Sequence, residues 1–300
     1  MTEILAGDLV KDVLVCYHKS CTDGFGAACV TYRKFGEGAD YFPVQYQTEY
    51  DIELFRNKEV YIVDFSFSLD YCLLIQSVAK SVLILDHHKS AQTALDGLDF
   101  AIFDMTKSGA LLTWDYFNPN ISAPIAIQYI SNYDLWNHYI PDIAWFNKSL
   151  SLIAHDFIVW NELIDNCQNS TYLNQFLEKG KSIDAFINRQ VKFQAKHGFK
   201  CIIDDQEGLI VNCSSIFISE LGNALATESG TFGICYSVTG PGDVLLSFRS
   251  NGDYDVSKLA LKFGGGGHKN AAGCKIHLSN MIRTDDYIKL VRTNENGFIY

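Results

Sequence analysis

Val82-Leu83-Ile84-Leu85 runs directly into Asp86-His87-His88-Lys89. Four consecutive apolar residues are too few for a helix and read as a buried strand that stops abruptly at one acid and two imidazoles. The same event occurs twice earlier in the chain. Leu14-Val15-Cys16-Tyr17 stops at His18 with Asp23 just beyond, and Val60-Tyr61-Ile62-Val63 stops at Asp64. In an open parallel sheet, ligands gather outside the carboxyl ends of the strands. His18, Asp23, Asp64, Asp86, His87 and His88 are therefore expected in one place. A single His or Asp after a strand is more often a turn residue or a helix cap, but three such strand ends in one domain call for a chemical reason.

The segments between these points alternate in period. Strands are expected at 13–17, 41–45, 60–64, 82–86 and 100–103, and helices at 24–35 and 69–79. This alternation predicts an α/β fold, with a doubly wound, mostly parallel sheet covered on both faces. After Ser108-Gly109-Ala110 the chain turns to long helical stretches with scattered aromatics, through Trp136, Trp145 and Trp160. The segment 172–197, mixed in polarity and free of proline, predicts a connecting helix. Short strands return at 199–204, 208–213, 232–238 and 243–249 around a helix at 217–228. The expected organisation is a metal-binding domain at 1–171, a helical linker at 172–197 and a second, smaller α/β domain at 198–300.

The formal charge of -11 on 300 residues argues against a wide basic groove for long duplex nucleic acid, since such binders gain affinity by neutralising phosphates. A small anion held by a few local cations remains compatible with it. Nine cysteines, an odd number without a C-x-x-C pair, fit reduced thiols in a cytoplasm better than a disulfide framework. The segment 1–11 has no basic stretch followed by an apolar core, and no run approaches the roughly 18 apolar residues of a membrane span. A cytoplasmic protein without a membrane partner is expected.

Imidazole and carboxylate together suit Mn²⁺, Fe²⁺, Co²⁺ or Zn²⁺, whereas an all-oxygen set suits Mg²⁺ or Ca²⁺. Asp64, alone at the middle strand mouth, is the natural bridge in a site where two ions stand roughly 3.5 to 4 Å apart. Asp86 also reads as a residue that orients an imidazole. Asp134 reads by spacing alone equally well as a solvated helix acid. His138, His155, His197 and His277 stand outside the constellation and read as structural. Gly264-Gly265-Gly266-Gly267, followed by His268 and Lys269, costs backbone entropy. A tight loop accounts for one or two of these glycines, and close approach of backbone N–H groups to a phosphate or carboxylate accounts for the whole run.

Taken in order, His18 to Gly24, Asp64, Asp86-His87-His88, Asp134, the Gly264 to His268 run and Ala271-Ala272-Gly273 resemble the DHH phosphoesterase superfamily. The branch is the one with a DHH-associated C-terminal domain, which includes nanoRNases, pAp phosphatases and cyclic-dinucleotide phosphodiesterases. The resemblance implies that His18 binds a first metal, Asp23 a second, and that Asp64 bridges them while His87 and Asp134 complete the second site. It places His88 beside the scissile phosphate, with Asp86 in the same catalytic set. Ser108, Arg249, Gly265, Gly266, Gly267 and His268 form the implied substrate-binding set, with Arg249 on the strand Ser247-Phe248-Arg249-Ser250. The implied activity is metal-dependent phosphohydrolysis of short oligonucleotides or small nucleotides by metal-activated water. The first domain would hold one or two divalent ions, Mn²⁺ foremost with Mg²⁺, Co²⁺, Fe²⁺ or Zn²⁺ as alternatives. The second would hold the substrate's far phosphate or base, in a monomer or homodimer.

The chain departs from this pattern at one position. Most relatives carry Asp two residues before the Asp-Gly, and here Cys21 stands there. A thiolate binds Zn²⁺ or Fe²⁺ well and suits Mn²⁺ or Mg²⁺ poorly. The alternative expectation is therefore a catalytically weakened nucleotide-binding or sensor module, and the bland reading of Cys21 is a small buried residue.

Overall fold

Every one of the three polar strand ends belongs to a single parallel sheet. In the computed structural model, β1 (Val13–His18), β2 (Ala39–Val44), β3 (Glu59–Val63), β4 (Ser81–Asp86) and β5 (Ala101–Phe103) lie in the order β2-β1-β3-β4-β5, with all neighbours parallel. The structure describes residues 10–277 except 20, 47, 136, 138–140 and 241, together with 289–291. Trp136 and His138 lie outside the described residues. The chain leaves β1 for β2 and then returns across β1 to β3, so the winding reverses between β1 and β3. That reversal opens a crevice at the carboxyl ends of these strands, where β1 ends at His18 and β3 delivers Asp64.

The strands are apolar at nearly every position because both faces are covered. Val15 enters a core with Phe25, Ala27 and Val30 of α1 (Thr22–Phe35), while its neighbours Leu14 and Cys16 enter a second core with Cys72 and Ile75 of α2 (Leu69–Val78). Burying a Val, Leu, Ile or Phe side chain contributes roughly 1.5–3 kcal/mol, so the two cores hold the sheet from both sides. A short α3 (Lys89–Ala94) links β4 to β5. The α1 face is thickened by α4 (Gly109–Phe117), α5 (Ile125–Asp134), α6 (Pro141–Leu150) and α7 (Phe157–Asn166), which contribute Leu112, Ile127, Phe146 and Trp160 to the same core. His155 stacks on Phe25 with ring centroids 4.5 Å apart, a packing role. The doubly wound α/β architecture is as the sequence predicts.

The chain divides into two compact units, 1–184 and 185–300. The division falls within α8 (Ser170–Ala195), a helix of 26 residues opened by Asn169, whose side chain accepts from the amides of Thr171 and Tyr172. The second unit contains β6 (Phe199–Ile203), β7 (Gln206–Asn212), β8 (Phe232–Val238), β9 (Asp243–Ser250), β10 (Gly266–His268), β11 (Ala271–His277) and β12 (Lys289–Val291). They form one mixed sheet in the order β10-β11-β9-β8-β7-β6-β12. Only β7 and β8 pair in parallel among these neighbours, and α9 (Ile218–Ser229) makes that crossover.

The glycine run has a structural explanation that differs from an open anion loop. Gly264, at φ +74°, follows the end of α10 (Val256–Lys262), and the amides of Gly264 and Gly265 return to the carbonyls of Leu261 and Ala260. Gly266 then begins β10, which pairs antiparallel with β11. A Cβ on Gly265 would stand 2.1 Å from the Gly273 carbonyl oxygen, and one on Gly267 would stand 2.5 Å from Ala272 Cα. Helix termination and close hairpin packing thus demand Gly264, Gly265 and Gly267 before any ligand is considered, while a Cβ on Gly266 would meet nothing within 4 Å.

Candidate metal centre

Asp64 sits at the middle of the site in an unusual backbone state. It follows β3 at φ +54°, a left-handed conformation that costs a non-glycine residue of order 1 kcal/mol and that Asp and Asn tolerate best. Its amide is anchored on the Leu85 carbonyl of the adjacent β4 at 2.9 Å. The side chain is 1% exposed. Oδ2 points towards His18 Nδ1 at 3.6 Å and Oδ1 towards His87 Nε2 at 3.2 Å. Neither Asp64 oxygen, nor His18 Nδ1, makes a hydrogen bond. Burial alone would raise the Asp64 pKa; His18, His87 and the charge of His88 outweigh it and hold the group down to about 2.

Asp23, in the first turn of α1, is also 1% exposed and accepts from the Gly109 and Ala110 amides at 2.5 and 3.0 Å. These are the free N–H groups at the start of α4, where the helix dipole favours an anion. Burial and the charges of Asp64 and Asp134 nonetheless push the Asp23 carboxyl well above its usual range. Asp134, in the last turn of α5, lies 3.4 Å from His87 Nε2, and its pKa is raised by burial with Asp64 adding to it. Burial lowers the His87 pKa, but Asp64, Asp134 and Asp23 overcome it and drive it up to about 9.

The site is thus crowded with carboxylates and holds buried acceptors without donors. That combination suits a divalent cation, which relieves both defects at once. One ligand atom from each member falls within 4.8 Å of the others in three overlapping groups: His18-Cys21-Asp64, Asp64-His87-His88 and Asp23-His87-Asp134. Asp64 belongs to two of them. Cys21 precedes α1 in extended conformation; burial and then the Asp64 charge raise its thiol pKa, while the Gly24 amide pulls the other way.

Asp86 belongs to none of these groups. It is fully buried and saturated: Oδ2 accepts from Ser66 Oγ at 2.6 Å, and Oδ1 accepts from the His87 amide at 2.7 Å and meets His88 Nδ1 at 2.6 Å. Asp86 therefore orients the His88 ring, and its carboxylate is the main reason the His88 pKa is raised. With Nδ1 engaged by Asp86, Nε2 is the other ring nitrogen, which Asp86 does not touch. Ser108, expected among the substrate-binding residues, lies at the start of α4. It is fully buried and its hydroxyl accepts from the Leu111 amide as the cap of α4, so it supports the helix that holds Asp23 and does not present an open donor.

Two residues near the centre were not anticipated from the sequence. Ser66 is the donor that pins Asp86. Tyr46, 47% exposed, lies with its ring centroid 4.5 Å from Phe65, 5.4 Å from His18 and 6.2 Å from His88. It stands just past the end of β2, a fourth strand mouth whose signal was present but aromatic and not acidic.

In the second unit, Arg249 on β9 pairs with Ala271, which pairs in turn with His268. Their backbones occupy one row across the sheet. Arg249 Nη1 donates to the Phe248 carbonyl at 3.0 Å, and its stem lies so close over α9 that a Cβ on Gly222 would stand 2.7 Å from Arg249 Cγ. The His268 side chain lies outside the described part of the structure.

Comparison with known proteins bears on this geometry. A model of the DHHA1 domain matches residues 209–292, and oligoribonuclease NrnB of Bacillus subtilis is 23% identical over 289 residues, covering 87% of this chain and 72% of NrnB. Together these matches support similarity of this chain to the DHH phosphoesterase superfamily with a DHH-associated domain. An uncharacterised protein of Acanthamoeba polyphaga mimivirus is 31% identical to this chain over 284 residues, covering 87% of it and 66% of the relative. A 3',5'-cyclic-nucleotide phosphodiesterase of Helicobacter pylori is 38% identical over 82 residues, 27% of this chain and 23% of the relative. The chain thus spans less than two thirds of the length of these last two relatives. The fold is shared with a pGpG-specific phosphodiesterase, PggH, from Vibrio cholerae, at a TM-score of 0.54, 15% identity and coverage of 92% and 96% of the two chains. A DHH domain described as belonging to a family of ribosomal proteins gives a TM-score of 0.52 at 14% identity, with coverage of 90% and 84%.

Proposed function

We propose that this chain is a metal-dependent phosphohydrolase that cleaves phosphoester bonds of short oligonucleotides or small nucleotides. The observation that carries the reading is Asp64, buried at the strand switch with both oxygens unpaired and one facing each imidazole. His18, Cys21 and Asp64 would hold one cation, and Asp64, Asp23, His87 and Asp134 a second, with Mn²⁺ suited to the latter nitrogen and oxygen set. Cations held there would supply the Lewis acidity that activates water and offsets charge on a phosphoester. Asp64 orients the two halves of the donor set, the α4 amides fix Asp23, and Asp86 fixes His88 so that Nε2 can give a proton to the leaving oxygen or contact the phosphate. Within the second unit, Arg249 and the residues Gly265 to His268 are the proposed substrate contacts, a guanidinium being apt for phosphate. The relatives named as oligoribonuclease and nucleotide phosphodiesterases support short nucleotides as the substrate class, and the charge of -11 fits small anions better than long strands. All nine cysteines are free, in keeping with a reducing cytoplasm, and no described helix is long and apolar enough to cross a membrane.

The test is hydrolysis of a 5'-phosphorylated diribonucleotide by metal-stripped protein resupplied with Mn²⁺, Zn²⁺ or both, beside Asp64→Asn. Mononucleotide release that needs metal and vanishes in the variant supports the reading. Metal and nucleotide binding without any release from nucleotide substrates overturns it in favour of a binding module.

Asp86→Asn separates positioning from metal binding. Asp86 touches His88 and none of the residues of the Asp23-His87-Asp134 group except through the His87 amide. Turnover is expected to fall by about 10²–10⁴-fold, the range of a lost general acid, while calorimetric metal affinity stays within a few-fold. An equal loss in both would assign Asp86 to the metal centre itself.

A further inference from the structure

Among the nine cysteines, eight are buried and Cys21 alone is partly exposed. This separates it from the bland reading, because the others fill the cores while Cys21 faces the centre. Its sulfur shares a space of 4.8 Å with a nitrogen of His18 and an oxygen of Asp64. Those two partners carry an independent sign of cation binding: His18 Nδ1 and both Asp64 oxygens are buried without a hydrogen bond. The Asp64 oxygens are also divided, Oδ2 on the His18 side and Oδ1 on the His87 side.

We propose that the centre is chemically asymmetric: Cys21, His18 and Asp64 Oδ2 form a thiolate site selective for a borderline-soft dication, Zn²⁺ or Fe²⁺, beside a nitrogen and oxygen site for a harder ion. The proposal rests on the metal-dependent reading above and deepens it. The argument is one of donor chemistry. A thiolate and a carboxylate carry the same charge, so Cys21 leaves the electrostatics of the site nearly as an Asp would. Polarisability differs: sulfur favours Zn²⁺ and Fe²⁺, while Mn²⁺ and Mg²⁺ favour oxygen. The Cys21 thiol gives up its proton to solvent as its sulfur takes the cation, so atoms and charge balance. The second group, Asp23-His87-Asp134, has no sulfur and keeps the preference of an imidazole and carboxylate set. A chain of this kind would therefore need two different ions for full occupancy.

Cobalt reports on the ligands directly. Metal-stripped full-length protein titrated anaerobically with Co²⁺ is expected to show visible ligand-field bands together with a near-ultraviolet sulfur-to-cobalt charge-transfer band. Cys21→Ser and Cys21→Asp should keep the visible bands of the second site and lose the charge-transfer band. In competition experiments, Cys21→Asp should shift the preference for Zn²⁺ over Mn²⁺ at the first site by about 10-fold or more, the size of a change in ligand environment. Visible bands without charge transfer in the unaltered protein, or charge transfer that survives in Cys21→Ser, would overturn the thiolate site and leave the phosphohydrolase reading standing. Absence of any cobalt spectrum would overturn both. Elemental analysis of the reloaded protein then distinguishes Zn²⁺ from Fe²⁺ as the preferred occupant.

Discussion

Asp64→Asn is expected to lower metal-dependent turnover by about 10³-fold or more, because several kcal/mol of Lewis-acid stabilisation depend on the residue between the two donor groups. Asparagine is the informative replacement, since it accepts the φ of +54° that most residues resist and removes the charge with little change in shape. The same substitution should also abolish stabilisation by metal. A cation present at 100 times its dissociation constant stabilises a folded chain by about 2.7 kcal/mol, which for a unit of this size corresponds to roughly 5–10 °C in melting temperature. Differential scanning fluorimetry with and without Mn²⁺ and Zn²⁺ measures this. A full metal-induced shift in Asp64→Asn would show that the ions sit elsewhere.

Gly109→Ala is expected to damage both the fold and the site. The added Cβ would stand 2.4 Å from Asp64 Cβ and 2.8 Å from Asp64 Cα, so a fully buried side chain and its backbone must give way. Overpacking of this kind costs typically 1–3 kcal/mol. It also displaces the Gly109 and Ala110 amides, the two donors that hold Asp23. Metal affinity should therefore drop by about 100-fold, on the scale of a disturbed supporting shell, along with a clear fall in melting temperature. Gly38→Ala is the control, because nothing lies within 4 Å of a Cβ there. Equal behaviour of the two variants would remove Gly109 from any role in shaping the centre.

The polar strand ends were legible because strands buried on both faces leave little freedom: an apolar run that stops at His18, Asp64 or Asp86 can only stop at the sheet's edge. Tyr46 obeys the same rule at the end of β2, but an aromatic residue carries no hint of ligand chemistry. Ser66 was invisible for another reason, since its role is a single hydrogen bond to a residue 20 positions away. The segment Val256 to Lys262 is a helix whose signal is short. Val256, Leu259 and Ala260 have helical spacing and Asp255 caps them by accepting from the Ser257 amide, yet the glycines that follow at once dominate the local pattern and suggest a loop. The hairpin after it was harder still. Ala271-Ala272-Gly273 has too little side-chain contrast to show a period of two, and its pairing with Gly266 to His268 on one side and Ser247 to Arg249 on the other makes it a strand.

The donors of the centre are scattered along the chain from His18 to Asp134, and they meet only because the winding reverses between β1 and β3. An unfolded chain holds no local cluster comparable to a zinc finger, and closing such long loops around an ion carries an entropic penalty. Capture of cations by the full proposed donor set would thus be a late event in the life of the polypeptide. The Asp23-His87-Asp134 group would not be complete until translation has passed α5 and the sheet has closed, so an ion taken up there would reflect the pool met by the finished fold and not the one met by the nascent chain.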